Sequence, residues 1–588
     1  MNSTAHKSDF SRLALFLSAV WILAVGFFYY PKWEQKGTEA AISWDVSGYY
    51  HYLPAIFIYK SLRQQQYKDT LLDKYQPTPL GNHYEAYKHS SGNYVMKYSI
   101  GQSFFFAPFF LIAHVSANSL GCAADGYSYP YQAAIGVGEL LIALVGLFFL
   151  RLILIKYFNP FTTGIVLLLY VLGTNYLEYA SISNAMTHNN LFTLYCVLIW
   201  VTIKFYDQPT LLKAAGIGLL TGWAVLTRPS EIISVVIPVC WRISSLSEIN
   251  NRLQFFRNHL PKIIIASVLA ALVISIQLFY WKYVTGDWIV YSYQKEKYHL
   301  LHPYLAECLW QFRKGWLIYT PLMILAVIGF YFLYKQYRQL FWVSLLFAVP
   351  FTYLCFSWEI WWYGGSIGQR AMVQSYPMLA FPFAAAINYL LNKKLFVIPV
   401  SLFILLCCYY NIWLTHQAHK GGLLDAENMT RAYWQKILFK YSVPVDEKKL
   451  LDSDEEFIGE RTNVAVIKSN SDTIQLNKDH QYSEEMHIQV PNRFYKWIRV
   501  SATIAFPQKE WDVWKMTQLI VKFKSGGKTI KEKSIRIQRL MNETSGTSVY
   551  IDVKIPKQFD DAIILLWNGE SKKPVTFTNL KAEVFNEQ

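Results

Sequence analysis

The chain has 588 residues, of which 53% are hydrophobic, 17% aromatic and only 16% charged, against about 25% charged in a typical soluble domain. Its formal net charge is +15, a balance that in a soluble protein would point to nucleic acid, but no DNA- or RNA-binding motif accompanies it. The apolar residues are clustered: up to about residue 413 the chain is a succession of apolar stretches, and beyond it is polar, alternating and rich in Lys and Glu. These features exclude a single soluble domain and a nucleic-acid partner, and predict a membrane domain over 1–413 followed by a soluble one.

A membrane crossing needs roughly 20 apolar residues. In chain order the candidate runs are 13–30, 133–150, 161–176, 190–203, 214–226, 232–241, 263–281, 316–334, 340–356, 371–391 and 395–413. The first lacks a small-residue cleavage site and is followed by Pro31-Lys32-Trp33, so it reads as a retained span. The fifth and sixth are short and flank Thr227-Arg228-Pro229-Ser230, a pattern of broken or tilted helices beside a cavity. Lys7, Arg12, Arg151, Lys156, Lys204, Lys213, Arg242, Arg252, Arg257, Lys262, Lys335, Arg338, Lys393 and Lys394 gather at one end of the runs, whereas 174–189 at the other end has no Lys or Arg. That alternation predicts about eleven spans, a cytoplasmic N-terminus and an external C-terminus.

Four segments then share the outer face: a long first loop, 31–130, then 178–189, 282–315 and 357–370, joined by the Arg228 turn. In the first, 100–115 is apolar but short and contains Pro108. It is expected to lie in the outer interface, because another crossing would invert every later loop.

The outer segments hold the unusual polar residues. Asp45 stands in Trp44-Asp45-Val46-Ser47-Gly48-Tyr49-Tyr50, fifteen residues past the first run. It is either a base for an acceptor hydroxyl or amine or a solvated loop acid; the tyrosines beside it suit both interfacial anchoring and sugar stacking. Arg228 and Arg370 lie where the positive-inside rule asks for no charge, and a planar guanidinium suits bidentate phosphate binding; the alternatives are salt bridges to Glu231 or Glu359. Lys97 and Lys282 are weaker candidates for the same role. Glu178 and His188 form either an acid–base or metal pair or a structural hydrogen bond, and Glu139 lies inside a span with no partner that the sequence names.

Residues 414–454 read as a connector. Alternating runs at 496–504, 518–523, 548–553 and 562–567, with Gly526-Gly527 as a hairpin turn, predict an antiparallel β-sandwich over 455–588. Asp452-Ser453-Asp454 has the spacing of metal-dependent nucleotide-sugar enzymes, but with no nucleotide-binding pattern or Gly-rich phosphate loop it reads as a solvated acidic run. Of seven cysteines, Cys196, Cys240, Cys355, Cys407 and Cys408 sit in apolar runs as core residues. Cys122 and Cys308 fall in outer segments, and no spacing decides whether they pair.

Several motifs in this order resemble a family. They are Asp45 just after the first span; Lys97-Tyr98-Ser99-Ile100-Gly101 before the interfacial helix; Leu226-Thr227-Arg228-Pro229; Lys314-Gly315-Trp316-Leu317-Ile318-Tyr319-Thr320-Pro321; and Trp361-Trp362-Tyr363-Gly364-Gly365-Ser366-Ile367-Gly368-Gln369-Arg370. Over about residues 10–413 the chain resembles GT-C glycosyltransferases that use a phospholipid carrier, a group including protein O-mannosyltransferases and the lipid A aminoarabinose transferase. The resemblance implies a polytopic α-helical, GT-C-like membrane protein with an outward-facing site. It implies a polyprenyl-phosphate-linked sugar donor drawn from the membrane lipid, transfer with inversion, and a glycan, lipid or protein acceptor. Asp45 would be the base, and Arg228 and Arg370, helped by Lys97 and Lys282, would hold the lipid phosphate. Tyr49, Tyr50, Glu178, His188, Trp361, Trp362, Tyr363 and Gln369 would meet sugar or acceptor. No cofactor is required, and a divalent metal is optional rather than expected. A bacterial inner membrane, with the β-domain in the periplasm, fits the topology. One departure, Val46 where the O-mannosyltransferases carry a second acid, leaves the acceptor class open. The alternatives are a flippase for a lipid-linked saccharide, which would need no base, and a membrane scaffold.

Overall fold

Every one of the apolar runs folds as helix. The structure, a computed structural model, describes residues 9–79, 83–490, 494–507, 515–541 and 546–588; Lys7, counted among the basic residues above, lies outside them. The chain divides into two compact units, Met1–His419 and Lys420–Gln588.

Among the described residues of the first unit, five helices are long and apolar enough to cross a bilayer: Phe10–Glu34, Tyr129–Leu154, Leu260–Thr285, Arg338–Phe356 and Lys394–Gly421. The first unit is therefore an integral membrane unit. At about 1.5 Å per residue, a 26-residue helix such as Tyr129–Leu154 reaches roughly 39 Å, beyond the roughly 30 Å of hydrocarbon. The remaining runs are shorter, broken or less apolar, so five crossings follow from length and composition, and the expected count of about eleven is not confirmed. The run 316–334, for example, is split at Thr320 into Trp316–Tyr319 and, after a 3-10 turn, Ile324–Gln336.

Side-chain caps set several helix starts. Asp9 accepts from the Ser11 amide and pairs with Arg151 at 2.5 Å. Asn159 accepts from the Thr162 amide at 2.8 Å, with Pro160 opening the helix Pro160–Gly173. Leu260–Thr285 buries only Gln277, Tyr280 and Val284, the exposure expected of a helix whose solvent is lipid. It docks on Leu211–Thr227 through Gly218 and Gly222, where an added Cβ would stand 2.2 Å from the Ala266 carbonyl oxygen and 2.8 Å from that of Ala270. Close approach of backbones through small residues is how helices associate without a hydrophobic driving force.

The segment 31–130 is largely structured rather than a loop. It contains the helices Asp45–Tyr50, Lys68–Tyr75 and Gly101–Ala117, the last with Pro108 inside it, and an antiparallel hairpin of β1 (Ala86–Lys88) and β2 (Tyr94–Met96). Cys122 and Cys308 are not paired; both are free thiols, Cys308 buried.

In the second unit, β3 (Arg461–Asn470), β4 (Ile474–Leu476), β5 (Met486–Ile488), β6 (Trp497–Ala505), β7 (Gln518–Ser525), β8 (Lys528–Arg536), β9 (Thr547–Lys554), β10 (Asp561–Trp567) and β11 (Val575–Glu587) build two antiparallel sheets. One has the order β5-β10-β7-β8. The other has the order β3-β11-β6-β9, with β4 also on β11. Ile498, Val500, Ala502 and Ile504 alternate inward from β6 and share one hydrophobic cluster with Val521, Phe523 and Ile564 of the other sheet. Gly526 and Gly527, at φ 55° and 74°, make the two-residue turn joining β7 to β8, where positive φ at both positions favours glycine. Asp452 is not solvated as expected: Arg539 and Arg536 hold it at 2.6 and 3.0 Å.

Candidate active site

Asp45 owes its position to a strained residue before it. Trp44 sits at φ 51°, a region unfavourable for a bulky side chain, and its amide donates to the Pro77 carbonyl at 2.9 Å. Asp45 then opens the short helix Asp45–Tyr50. A Cβ at Gly48 would stand 2.4 Å from the Tyr98 ring, so only glycine there lets Tyr98 lie against the helix. Tyr98 stacks on Tyr49 with centroids 4.4 Å apart and donates its hydroxyl to Asp45 Oδ1 at 2.6 Å.

The same motif is packed onto the Arg228 turn. Gly101 starts its helix where a Cβ would be 2.3 Å from the Thr227 nitrogen, and Trp223 Nε1 donates to the Gly101 carbonyl at 2.9 Å. Arg228 ends the helix Leu211–Thr227 as its extended C-cap. Its guanidinium faces the Tyr363 ring at 6.0 Å and has no hydrogen bond or ion pair among the described residues.

Arg370 heads the 3-10 turn Arg370–Ser375. The chain reaches it through Gly368, at φ 63°, where a Cβ would strike the Tyr319 side chain at 2.6 Å. Arg370 Nη2 bonds Asp45 Oδ2 at 2.5 Å, while its Nε is buried with no partner. Burial by itself would raise the Asp45 carboxyl, but Arg370, the Tyr98 hydroxyl and Lys97 together hold it below its ordinary value. Burial and the Asp45 charge push the Tyr98 hydroxyl well up, so it remains a donor.

Asp45, Arg228 and Arg370, which are far apart in sequence, line one cavity of about 520 Å³. Tyr49, Lys97, His188 and Tyr363 line it too, and Ile232, Trp281, Ile289 and Leu354 give it an apolar flank. Lys97 is not a free cation there: its Nζ is paired with Glu296 Oε1 at 2.7 Å.

Six of the expected contacts lie elsewhere. Lys282 is exposed and donates to the Gly286 carbonyl at the end of its own helix. Glu178 does not pair with His188; it is buried and bonded to His419 at 2.8 Å and Ser183 at 2.7 Å. Burial would raise the Glu178 carboxyl, but His419, Ser183 and Lys32 hold it low. Tyr50 is fully buried and donates to the Gly126 carbonyl. Gln369 is spent on the Trp361 carbonyl at 2.9 Å, so both residues brace the loop before Arg370. Trp362 lies under the Arg313 guanidinium at 3.7 Å. Apart from Trp361, which is engaged through its backbone carbonyl, a polar or aromatic partner, invisible in the linear pattern, captures the side chain. Conversely, sequence reading missed Tyr293, Glu296 and Tyr298, which line the cavity from a stretch without a motif, and Gln374, which lies one turn beyond Arg370.

No protein-family model and no curated protein matches the chain. Solved structures similar to it include two from one archaeon. The apo oligosaccharyltransferase of Archaeoglobus fulgidus superposes with a TM-score of 0.42 at 10% identity, over 71% of this chain and 57% of that one. The oligosaccharyltransferase AglB of the same organism, in complex with an inhibitory peptide and a dolichol-phosphate, gives a TM-score of 0.40 at 10% identity, over 72% and 57%. The chain thus spans 57% of the length of both proteins, and the functional reading rests on the site itself.

Proposed function

We propose that the membrane unit is a glycosyltransferase that moves a sugar from a polyprenyl-phosphate carrier to an acceptor glycan, lipid or protein. The observation that carries this is the convergence of a carboxylate and two guanidinium groups on a single cavity with an apolar flank. A ligand with a phosphate head and a long isoprenoid tail matches both walls.

The free guanidinium of Arg228 and the unpartnered Nε of Arg370 are donors suited to the phosphate. As the anomeric carbon–oxygen bond breaks, its electron pair passes to the phosphate, and these fixed cations stabilise the growing charge. The acceptor oxygen bonds the opposite face of the anomeric carbon, and its proton passes to Asp45. Arg370 is shared between the two halves of the reaction. Phosphate on Arg370 withdraws positive charge from Asp45 and raises its basicity, so the base is armed only when donor is bound. The charge alternation supports an outward-facing site, a cytoplasmic N-terminus and an external β unit, with a bacterial inner membrane as the proposed setting.

The test uses the full chain in lipid nanodiscs with polyprenyl-phosphate sugars. Asp45→Asn lowers transfer about 10³-fold and retains donor binding; undiminished turnover would overturn the assignment of the base, and a flippase would tolerate the substitution.

A further inference from the structure

A chain of hydrogen bonds runs from the cavity wall into the interior, apart from the Asp45–Arg370 pair. His188 Nδ1 meets Gln374 Oε1 at 2.8 Å. Gln374 Nε2 donates to Glu231 Oε1 at 2.5 Å. Glu231 also accepts from the Tyr195 hydroxyl at 2.5 Å and from Ser230 at 3.2 Å. His188, Gln374 and Glu231 are each at most 1% exposed, so water does not compete for these bonds.

The chemistry of the partners fixes the direction of the chain. A carboxylate accepting from Tyr195 and Ser230 takes a third donor, so Gln374 must turn its NH2 toward Glu231 and its carbonyl toward His188. That carbonyl accepts only, which places the imidazole proton on Nδ1. Nε2 is left with a lone pair on a residue that lines the cavity, and no hydrogen bond from a described residue reaches it. Tyr179 packs edge-on against the ring at 5.6 Å and holds its plane.

We propose that His188 Nε2 is the acceptor that reads a hydroxyl of the transferred sugar, with Gln374 and Glu231 as positioning residues that fix its tautomer. This rests on the lipid-phosphate sugar reading above. The placement follows from the two turns that carry the phosphate cations. Gln374 stands on the same 3-10 turn as Arg370, and Glu231 on the turn that follows Arg228. A sugar joined to a phosphate at those arginines comes within reach of His188. The carboxylates that line the cavity are already engaged, Asp45 by Arg370 and Tyr98 and Glu296 by Lys97, so a sugar hydroxyl proton there needs a further acceptor. A site built to pair a hydroxyl discriminates against ligands that lack it more sharply than an apolar pocket does.

Two measurements on the full chain in nanodiscs test this. Nitrogen-15 spectra of histidine-labelled protein should show neutral His188 protonated at Nδ1, with Gln374→Leu redistributing the proton; an Nε2-protonated ring in the wild type overturns the proposal. Binding is compared for farnesyl phosphate, farnesyl-phosphate mannose and farnesyl-phosphate glucose. The wild type should favour one glycosylated ligand about tenfold over farnesyl phosphate, equivalent to about 1.4 kcal/mol. His188→Phe should erase that preference while leaving farnesyl phosphate binding intact, and His188→Gln, which keeps an amide oxygen in reach, should restore part of it. A preference that survives in a folded His188→Phe protein, or a wild type that binds all three equally, overturns the sugar subsite. Failure of the wild type to bind any of the three overturns the lipid-phosphate reading instead.

Discussion

Each unit contains a partly buried Asp–Arg pair, and the two are built differently. In the β unit, Arg499 meets Asp552 through two parallel bonds of 2.7 and 2.8 Å, with its guanidinium on the Tyr550 ring at 4.0 Å. In the membrane unit, Arg370 gives Asp45 one bond of 2.5 Å, Tyr98 takes the other oxygen, and the arginine Nε is buried without a partner. The first pair is closed, with planar fork matched to planar fork. The second is open, and the orphaned donor faces a surrounding that holds a second arginine with no ion pair. A buried donor without a partner is unfavourable by about 1–3 kcal/mol, and such groups persist where a ligand supplies the missing acceptor. The same two residue types thus form a closed pair in one unit and, in the proposed reaction, a base and a phosphate ligand in the other.

The largest expected effect breaks the open pair. Asp45→Asn should lower transfer about 10³-fold, within the range for a lost general base, with a modest drop in melting temperature, because the counter-charge of Arg370 is lost while the Asn amide oxygen still accepts a hydrogen bond; steady-state turnover and calorimetry check both halves. Asp552→Ala should do the reverse, destabilising the β unit by about 3 kcal/mol because it leaves Arg499 uncompensated, as read by denaturant titration, with the cavity's donor affinity unchanged. Arg228→Ala should weaken donor binding about 10- to 100-fold, the equivalent of a lost charge-assisted contact, with little change in stability, since its guanidinium makes no hydrogen bond or ion pair with a described residue and faces only the Tyr363 ring, at 6.0 Å.

The open pair also has a pH signature. Because its folded value is depressed, Asp45 contributes stability that is fully present above the ordinary carboxylate range and is lost as pH falls through that lowered value. In the donor complex, where Arg370 turns toward phosphate, the acid limb of kcat should lie at higher pH than that of kcat/KM, which reports the free enzyme. Coincident limbs would show that Arg370 stays on Asp45 throughout. The smallest effect sharpens the contrast from outside: Lys282→Ala should change neither donor binding nor stability by more than about 0.5 kcal/mol, because its exposed ammonium meets only the Gly286 carbonyl and the Trp288 ring near the end of its own helix.

Much of the helical architecture was legible, because apolar runs of membrane length leave their mark in a linear sequence whatever they pack against. Asp45, Arg228 and Arg370 were legible for a related reason: a charged residue beside such a run is costly enough to stand out. Gln374 and Glu231 were not, since a single polar residue near an apolar run carries no sign of its partner. Trp361, Trp362 and Gln369 show the opposite failure. Their pattern marks an important loop, but whether a side chain faces a cavity or braces the backbone depends on residues elsewhere in the chain.

The sequence by itself determined where the chain is apolar, where it alternates, and which few charges sit against the expected trend, because transfer free energy and backbone periodicity are local properties. The tertiary structure alone decided that three of those charges meet at one cavity, that Glu178 and Lys282 are occupied elsewhere, and that the Asp45–Arg370 pair is left open. Those outcomes depend on close approaches at Gly48, Gly101 and Gly368 between segments far apart in the chain, and the geometry of a long-range contact is not encoded at any one position.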